Sequence, residues 1–225
     1  MKKVLAIDGV AASGKSSVAL KVGSAISFRY INSGAVYRAI AYYGIEKLGS
    51  HFPNQMGTIA KYLNDNPQTI QLNWKKNGAF AIYLSGKEIS DELHSEFLSG
   101  IVSKVAAFKE FRLIVNHYLI KVGNRYDSVI DGRDIGQIVF PDAWAKFFLT
   151  ADVKIRAQRR AKQLGIELTS PKFNELLDSL KKRDYADKNR KHAPLVKGED
   201  AIPIDTTDTP LDQVVELILS KLPES

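Results

Sequence analysis

Gly9-Val10-Ala11-Ala12-Ser13-Gly14-Lys15-Ser16 matches the phosphate-loop pattern G-x-x-x-x-G-K-[ST] without a mismatch. The run follows a short apolar stretch, Lys3 to Asp8. It opens a segment, Gly14 to Ile26, with Val18, Val22, Ala25 and Ile26 on one helical face. Strand, tight loop, helix is the context this motif requires. Successive backbone N–H groups in such a loop form an anion nest, and the helix N-terminus adds positive dipole. Glycine lets the backbone curl close to the phosphates. Lys15 reaches the β- and γ-phosphate oxygens, and the Ser16 hydroxyl is placed for Mg²⁺ or a phosphate. Gly9 to Ser17 is therefore the candidate nucleoside triphosphate loop, with Ser13 and Ser17 supporting the backbone. The bland alternative is a βα turn with a solvated lysine.

The rest of the chain alternates strands and helices. Phe28 to Asn32, Ser128 to Asp131, Ala145 to Leu149 and Ala201 to Asp205 read as short buried strands. Helices are expected over Gly34 to Leu48 with Gly49 as C-cap, Met56 to Leu63, Asp91 to Gly123, Asp152 to Leu164, Lys172 to Asp184 and Leu211 to Leu222. Between them, residues 69–89 form an antiparallel meander turning at Lys76-Asn77-Gly78. The pattern implies an α/β fold, a five-stranded parallel sheet flanked by helices, carrying a small antiparallel β insert.

Composition narrows the function classes. The 225 residues contain no cysteine, which excludes disulfide scaffolds, thiolate metal sites and a cysteine nucleophile. The four histidines, His51, His94, His117 and His192, share no metal-ligand spacing. No apolar run is long enough to span a bilayer, and the N-terminal apolar run is too short for a signal peptide. A soluble cytoplasmic protein is expected. The net charge is +7, and residues 156–191 alone hold eleven basic against five acidic side chains. Such a stretch is a solvated helix face, a site for a phosphate-rich small ligand, or a nucleic-acid surface.

A P-loop identifies a nucleotide, not a reaction. Three more segments decide among reactions: Asn32-Ser33-Gly34-Ala35-Val36-Tyr37-Arg38, Asp131-Gly132-Arg133-Asp134, and Arg183 through Leu195. The first two follow strands, so in a parallel sheet they face the same cleft as the P-loop. With the P-loop, and in this order, they resemble the motifs of the bacterial cytidylate kinases, members of the P-loop nucleoside monophosphate kinases. The resemblance runs from Asp131 through Ala143 in the third motif and covers essentially the whole chain, the β insert near 68–90 included.

That resemblance implies a core of residues 1–32, 126–151 and 192–225, a monophosphate-binding region of 33–125, and a helical lid of about 152–168. The implied reaction is ATP + CMP (or dCMP) → ADP + CDP (or dCDP) with Mg²⁺, by a monomer, with neither nucleic acid nor membrane as partner. Matching motifs assigns Lys15, Arg133, Arg159, Arg160 and Arg190 to catalysis, and Arg156 and Arg159 to ATP. Arg38, Arg133 and Arg190 take the acceptor phosphate. Ser33, Tyr37, Arg183 and Asp187 lie around the acceptor nucleotide, and Ser103, Arg112 and Asp134 read cytosine. Asp187 would otherwise be a surface partner of Arg183 or Arg190. Either Asp8 or Asp131 would order Mg²⁺ through water or merely cap a strand end.

Three departures from the family pattern stand out: Val10 in place of Pro, Ala12 in place of Gly, and Lys109 in place of the Pro three residues before Arg112. Because the nest uses backbone, the first two are expected to matter little. The competing readings are another small-molecule kinase, shikimate kinases included, a P-loop nucleic-acid-binding regulator and a GTPase switch. The GTPase reading lacks a guanine-reading N-K-x-D, and no nucleic-acid-binding motif is visible.

Overall fold

In a computed structural model that describes residues 2–224, the side chains at positions 94, 96, 97 and 99 apart, strands and helices alternate. In chain order the elements are β1 (Val4–Gly9), α1 (Lys15–Ala25), β2 (Arg29–Asn32), α2 (Ser33–Leu48), α3 (Met56–Asp65), β3 (Ile70–Trp74), β4 (Phe80–Leu84) and β5 (Lys87–Glu88). There follow α4 (Glu96–Ala107), α5 (Lys109–Gly123), β6 (Ser128–Asp131), β7 (Ala145–Thr150), α6 (Val153–Leu164), α7 (Pro171–Asn189), β8 (Ile202–Asp205) and α8 (Leu211–Leu219).

The five long-range strands pair in the order β2-β6-β1-β7-β8, every pair parallel. Successive side chains of a strand point to opposite faces. Val4 and Ala6 of β1 accordingly enter one core, with α2 and α5, while Leu5 and Ile7 enter another, with α1 and α8. Burial on both faces is why these strands read as continuous apolar runs. The insert is a separate antiparallel sheet, β3-β4-β5. Trp74 ties it to the main sheet's edge: its indole N–H donates to the Tyr30 carbonyl at 3.0 Å, and the Arg29 guanidinium lies over its ring and over that of Tyr126.

Two helical boundaries differ from expectation. The helical stretch over residues 91–123 breaks at Phe108, whose extended backbone starts α5 afresh at Lys109. This break aims Arg112 inward from the first turn. Helix α7 continues five residues beyond Asp184, because no breaker interrupts Tyr185 to Asn189, and this carries Asp187 into the site. Sequence periodicity gave no sign of a third feature. Ile135–Val139 forms one wide turn, with the Phe140 N–H donating to the Ile135 carbonyl at 2.7 Å.

Candidate active site

The P-loop leaves β1 at Gly9, where φ is +145° and an added Cβ would lie 2.0 Å from the Leu149 carbonyl oxygen, so only glycine fits. Two outward-facing carbonyls are then held by side chains from elsewhere. Arg156 Nη1 donates to Ala11 O at 2.9 Å, and Thr206 Oγ1 donates to Ser13 O at 3.1 Å. In a planar trans peptide the N–H lies opposite the C=O. The N–H groups of Ala12 and Gly14 therefore point into the loop, the arrangement an anion nest needs. Ala12 reaches this geometry with φ +56° and Gly14 with φ +88°. The left-handed region costs an alanine about 1 kcal/mol relative to glycine, so the Gly-to-Ala departure at position 12 carries a conformational cost that backbone-only reasoning missed.

Lys15 is buried, and its Nζ donates to Val10 O at 2.6 Å. Burial, with Arg133 and Arg183 nearby, holds its ammonium pKa well below the ordinary lysine value. Beside it, Ser16 Oγ donates to Asp131 Oδ2 at 2.7 Å, and the Tyr30 hydroxyl donates to Oδ1 at 3.1 Å. Ser33 Oγ donates to the Asp131 carbonyl at 2.6 Å. Asp8 does something different. Its carboxylate accepts from the N–H groups of Ile135 and Gly136 at 2.9 and 2.8 Å, so it caps the wide turn. Burial still pushes its pKa up to about 6. Of the two strand-end aspartates, Asp131 is the one beside the P-loop serine. Mg²⁺ is commonly held by one or two carboxylates plus substrate phosphates, and Ser16 with Asp131 fits that donor set. Among the described residues no group of three or more acidic or imidazole side chains gathers into a site of its own.

Opposite the loop lies a cluster of cations. Arg38 is lowered by burial and by the nearby charges of Arg160 and Arg133, and burial together with Arg133 brings Arg183 down to about 10. The buried Nε atoms of Arg38 and Arg183 have no hydrogen-bond partner, nor has Nη2 of Arg190, which stands 3.6 Å from Asp134. A buried guanidinium N–H without an acceptor costs about 1–3 kcal/mol. A site keeps such groups when an anion completes them.

Arg112 and Asp134 meet in a buried charge-assisted hydrogen bond, and Arg112 Nη1 donates to Ala106 O at 3.1 Å. Ser103 lies one turn before Ala106 on α4 and is half-buried. Tyr37 is buried near the same pair, and burial pushes its phenol up to about 12. Burial also pushes the Asp134 carboxyl upward, against the opposing pull of Arg112 and Arg190. Asp187 pairs with neither of its helix neighbours: its carboxylate accepts from Arg133 Nε at 2.9 Å.

The profile of the family described as cytidylate kinase matches residues 5–224. The chain belongs to the cytidylate kinase family. A cytidylate kinase of Clostridioides difficile (strain 630) is 38% identical over 219 residues, covering 97% of each chain. One from Clostridium tetani (strain Massachusetts / E88) is 38% identical over 225 residues, with 100% of this chain and 95% of that one covered. One from Thermodesulfovibrio yellowstonii is 35% identical over 224 residues, with 100% and 99% covered. Among solved structures, an uncharacterized protein from Eubacterium ventriosum ATCC 27560 aligns with a TM-score of 0.51 at 14% identity over 98% of this chain and 97% of that one, a likeness of fold alone.

Membership in the cytidylate kinases makes ATP the phosphate donor and a nucleotide the acceptor. No helix among the described residues is long and apolar enough to cross a membrane. Of the residues singled out in sequence, Lys15, Arg38, Arg133, Arg160 and Arg183 act on one another electrostatically beside Ser16, and Tyr37, Arg112, Asp134 and Arg190 do the same, with Arg133 acting on Asp134 as well and so joining the two groups. Two lid arginines stand elsewhere than expected. Arg156 is buried, with each of its three guanidinium nitrogens already bonded within the protein, to Ala151 O, Ala11 O and Asp184. Arg159 donates to Thr206 Oγ1 and to the carbonyls of Thr206 and Thr207. Arg160, by contrast, bonds its neighbour Gln163 and lies near enough for its charge to act on Arg38. Sequence reasoning missed Asp184, though it sits inside a quoted motif, and Thr206, which carried no signal because it meets the P-loop only through the β8 connection.

Proposed function

We propose that the protein transfers the γ-phosphoryl group of ATP to the 5′-phosphate of CMP and dCMP, releasing ADP and CDP or dCDP. The observation that carries this reading is the set of cations facing the P-loop with buried, unpartnered guanidinium nitrogens. A single triphosphate on the loop would not require so many. Two polyanions meeting there would.

The reaction forms a bond between an acceptor-phosphate oxygen and the γ-phosphorus and breaks the bond from that phosphorus to the β–γ bridging oxygen. A CMP phosphate oxygen is already anionic, so no general base is needed. Positioning and neutralisation of spreading charge carry the catalysis. The inward N–H groups of the P-loop and Lys15 bind the donor phosphates, Lys15 exchanging its bond to Val10 O for them. Arg38, Arg133 and Arg190 hold the acceptor phosphate, whose oxygens match the guanidinium fork. Arg160 and Arg183 neutralise the group in transit, with Ser33 and Asp187 at the acceptor. Ser16 and Asp131 would hold Mg²⁺, which supplies charge neutralisation at the β- and γ-oxygens.

Cytosine is read by Ser103, Arg112 and Asp134: a carboxylate accepts from the exocyclic amino group, and a guanidinium donates to N3 and O2. Residues 33–125 serve as the acceptor region and about 152–168 as the lid, on a core of 1–32, 126–151 and 192–225. The enzyme works as a cytoplasmic monomer. A coupled ADP-release assay with Mg-ATP and CMP, dCMP, UMP, AMP, GMP and shikimate tests the reading. Turnover confined to CMP and dCMP supports it, and turnover confined to another acceptor overturns it.

A further inference from the structure

The two peptides that flank Ala11 are held from outside the P-loop by one ion pair. Arg156, on α6, and Asp184, on α7, are joined by Nη2 to Oδ2 at 2.7 Å, with side chains 5% and 14% exposed. Arg156 Nε is anchored on Ala151 O at 2.8 Å, and its Nη1 grips Ala11 O at 2.9 Å. The other Asp184 oxygen faces the Ala11 N–H at 3.4 Å. So the carbonyl on one side of Ala11 and the N–H on the other both point outward to the same pair. Their opposite ends point inward. They are the Ala12 N–H, and the Val10 carbonyl that Lys15 Nζ now occupies.

Backbone conformation gives this arrangement its purpose. Ala12 sits at φ +56°, a left-handed conformation in a residue with a side chain. Rotating the Ala11–Ala12 peptide would relieve that strain and would also turn the Ala12 N–H away from the phosphates. Strained backbone of this kind persists only where its surroundings over-determine it. Here the Arg156 bond to Ala11 O is what opposes the rotation, and Asp184 keeps Arg156 in place.

We propose that Asp184, acting through Arg156, is a positioning residue that latches the Ala11–Ala12 peptide in its phosphate-binding orientation. Neither side chain touches the reacting atoms. The latch also references α6 and α7, which carry Arg160, Arg183 and Asp187, to the loop that holds the donor. It rests on the reading of the P-loop as the ATP site.

The test is calorimetric binding of ATP and of CMP, each alone, to the full chain carrying Asp184→Asn, in the native background and in an Ala12→Gly background. Glycine adopts positive φ without strain, so the latch has less to do there. Asp184→Asn is expected to weaken ATP by about tenfold or more and CMP by less than about twofold. In the Ala12→Gly background the ATP loss is expected to shrink to about threefold or less. An unchanged ATP affinity, an equal loss for both ligands, or the same ATP loss in both backgrounds overturns the latch. Should Asp184→Asn not fold, Arg156→Lys decides by the same criteria, since it keeps the ion pair but reaches fewer carbonyls. If the unmutated protein binds no CMP, the acceptor assignment falls while the ATP results still decide the latch. If it binds no ATP, both fall.

Discussion

Arg112, in the first turn of α5, and Asp134, just past β6, form a buried ion pair with each residue only 5% exposed. Breaking such a pair by removing one partner is costly, because the other charge stays buried. Its place beside Tyr37 and Arg190 makes it the floor of the proposed base pocket.

Exchange at this pair should move base choice. Uracil places an acceptor where cytosine has its amino donor, so it would face the Asp134 carboxylate unfavourably. Asp134→Asn supplies a donor at the same position. The ratio of kcat/KM for CMP over UMP is expected to fall by about tenfold or more. An unchanged ratio in the coupled assay would remove Asp134 from base reading.

Arg183 tests the cost of gathering cations. Its Nε is buried without a partner, and Arg133 and Arg38 lie close by. Burial and the like charges of Arg133 and Arg38 outweigh the pull of Asp187 and Asp184 on this guanidinium, so removing it relieves desolvation and repulsion in the ligand-free protein. Arg183→Met is expected to raise the Tm of the ligand-free protein by about 2–4 °C while lowering kcat/KM by about 100-fold or more. Differential scanning calorimetry and the coupled assay read the two effects. A loss of both stability and activity would mark Arg183 as structural.

Asp8 gives a pH signature. Folded Asp8 keeps its proton to about pH 6, whereas the ordinary value is 3.8. Between those values the folded state binds more protons than the unfolded one, so stability falls as pH rises. The difference in unfolding free energy, native protein minus Asp8→Asn, is expected to drop by roughly 3 kcal/mol in all between about pH 3 and about pH 7, about two-thirds of it between pH 4 and 6. Denaturant titrations across that range read it. A flat difference would mean that the two backbone N–H groups offset Asp8's burial entirely.

Lys109 occupies the first position of α5, after Phe108 in extended conformation (φ −78°, ψ 120°). Proline suits that position, and the residue before it already has the backbone proline demands. Lys109→Pro is expected to stabilise the protein by about 0.4–1 kcal/mol, seen as a higher Tm with an unchanged CMP/UMP ratio. A lower Tm would mean that the Lys109 N–H or side chain has a role in starting α5.

Much of this was legible in sequence because it is local or periodic. The P-loop pattern, the apolar strand runs and the Asn77-Gly78 turn report on neighbouring residues. What was not legible lies where distant segments meet. Arg156 read as a lid residue by its match to the family's motifs, yet its guanidinium goes to the P-loop backbone, 145 residues away. Thr206 closes on Ser13 across 193 residues. Asp187 could have paired along its own helix by spacing and instead pairs with Arg133. Even the cost at Ala12 became visible only with its φ, since a loop pattern does not say which of its positions is left-handed.

The most direct measurement follows the phosphoryl group itself. ATP labelled at the γ-phosphate is incubated with the protein, Mg²⁺ and CMP, and the products are separated. The expected result is label in the β-phosphate of CDP, with little free phosphate and none transferred when CMP is left out. Label released as inorganic phosphate at the same rate with or without CMP would contradict the assignment of the cation cluster to an acceptor nucleotide.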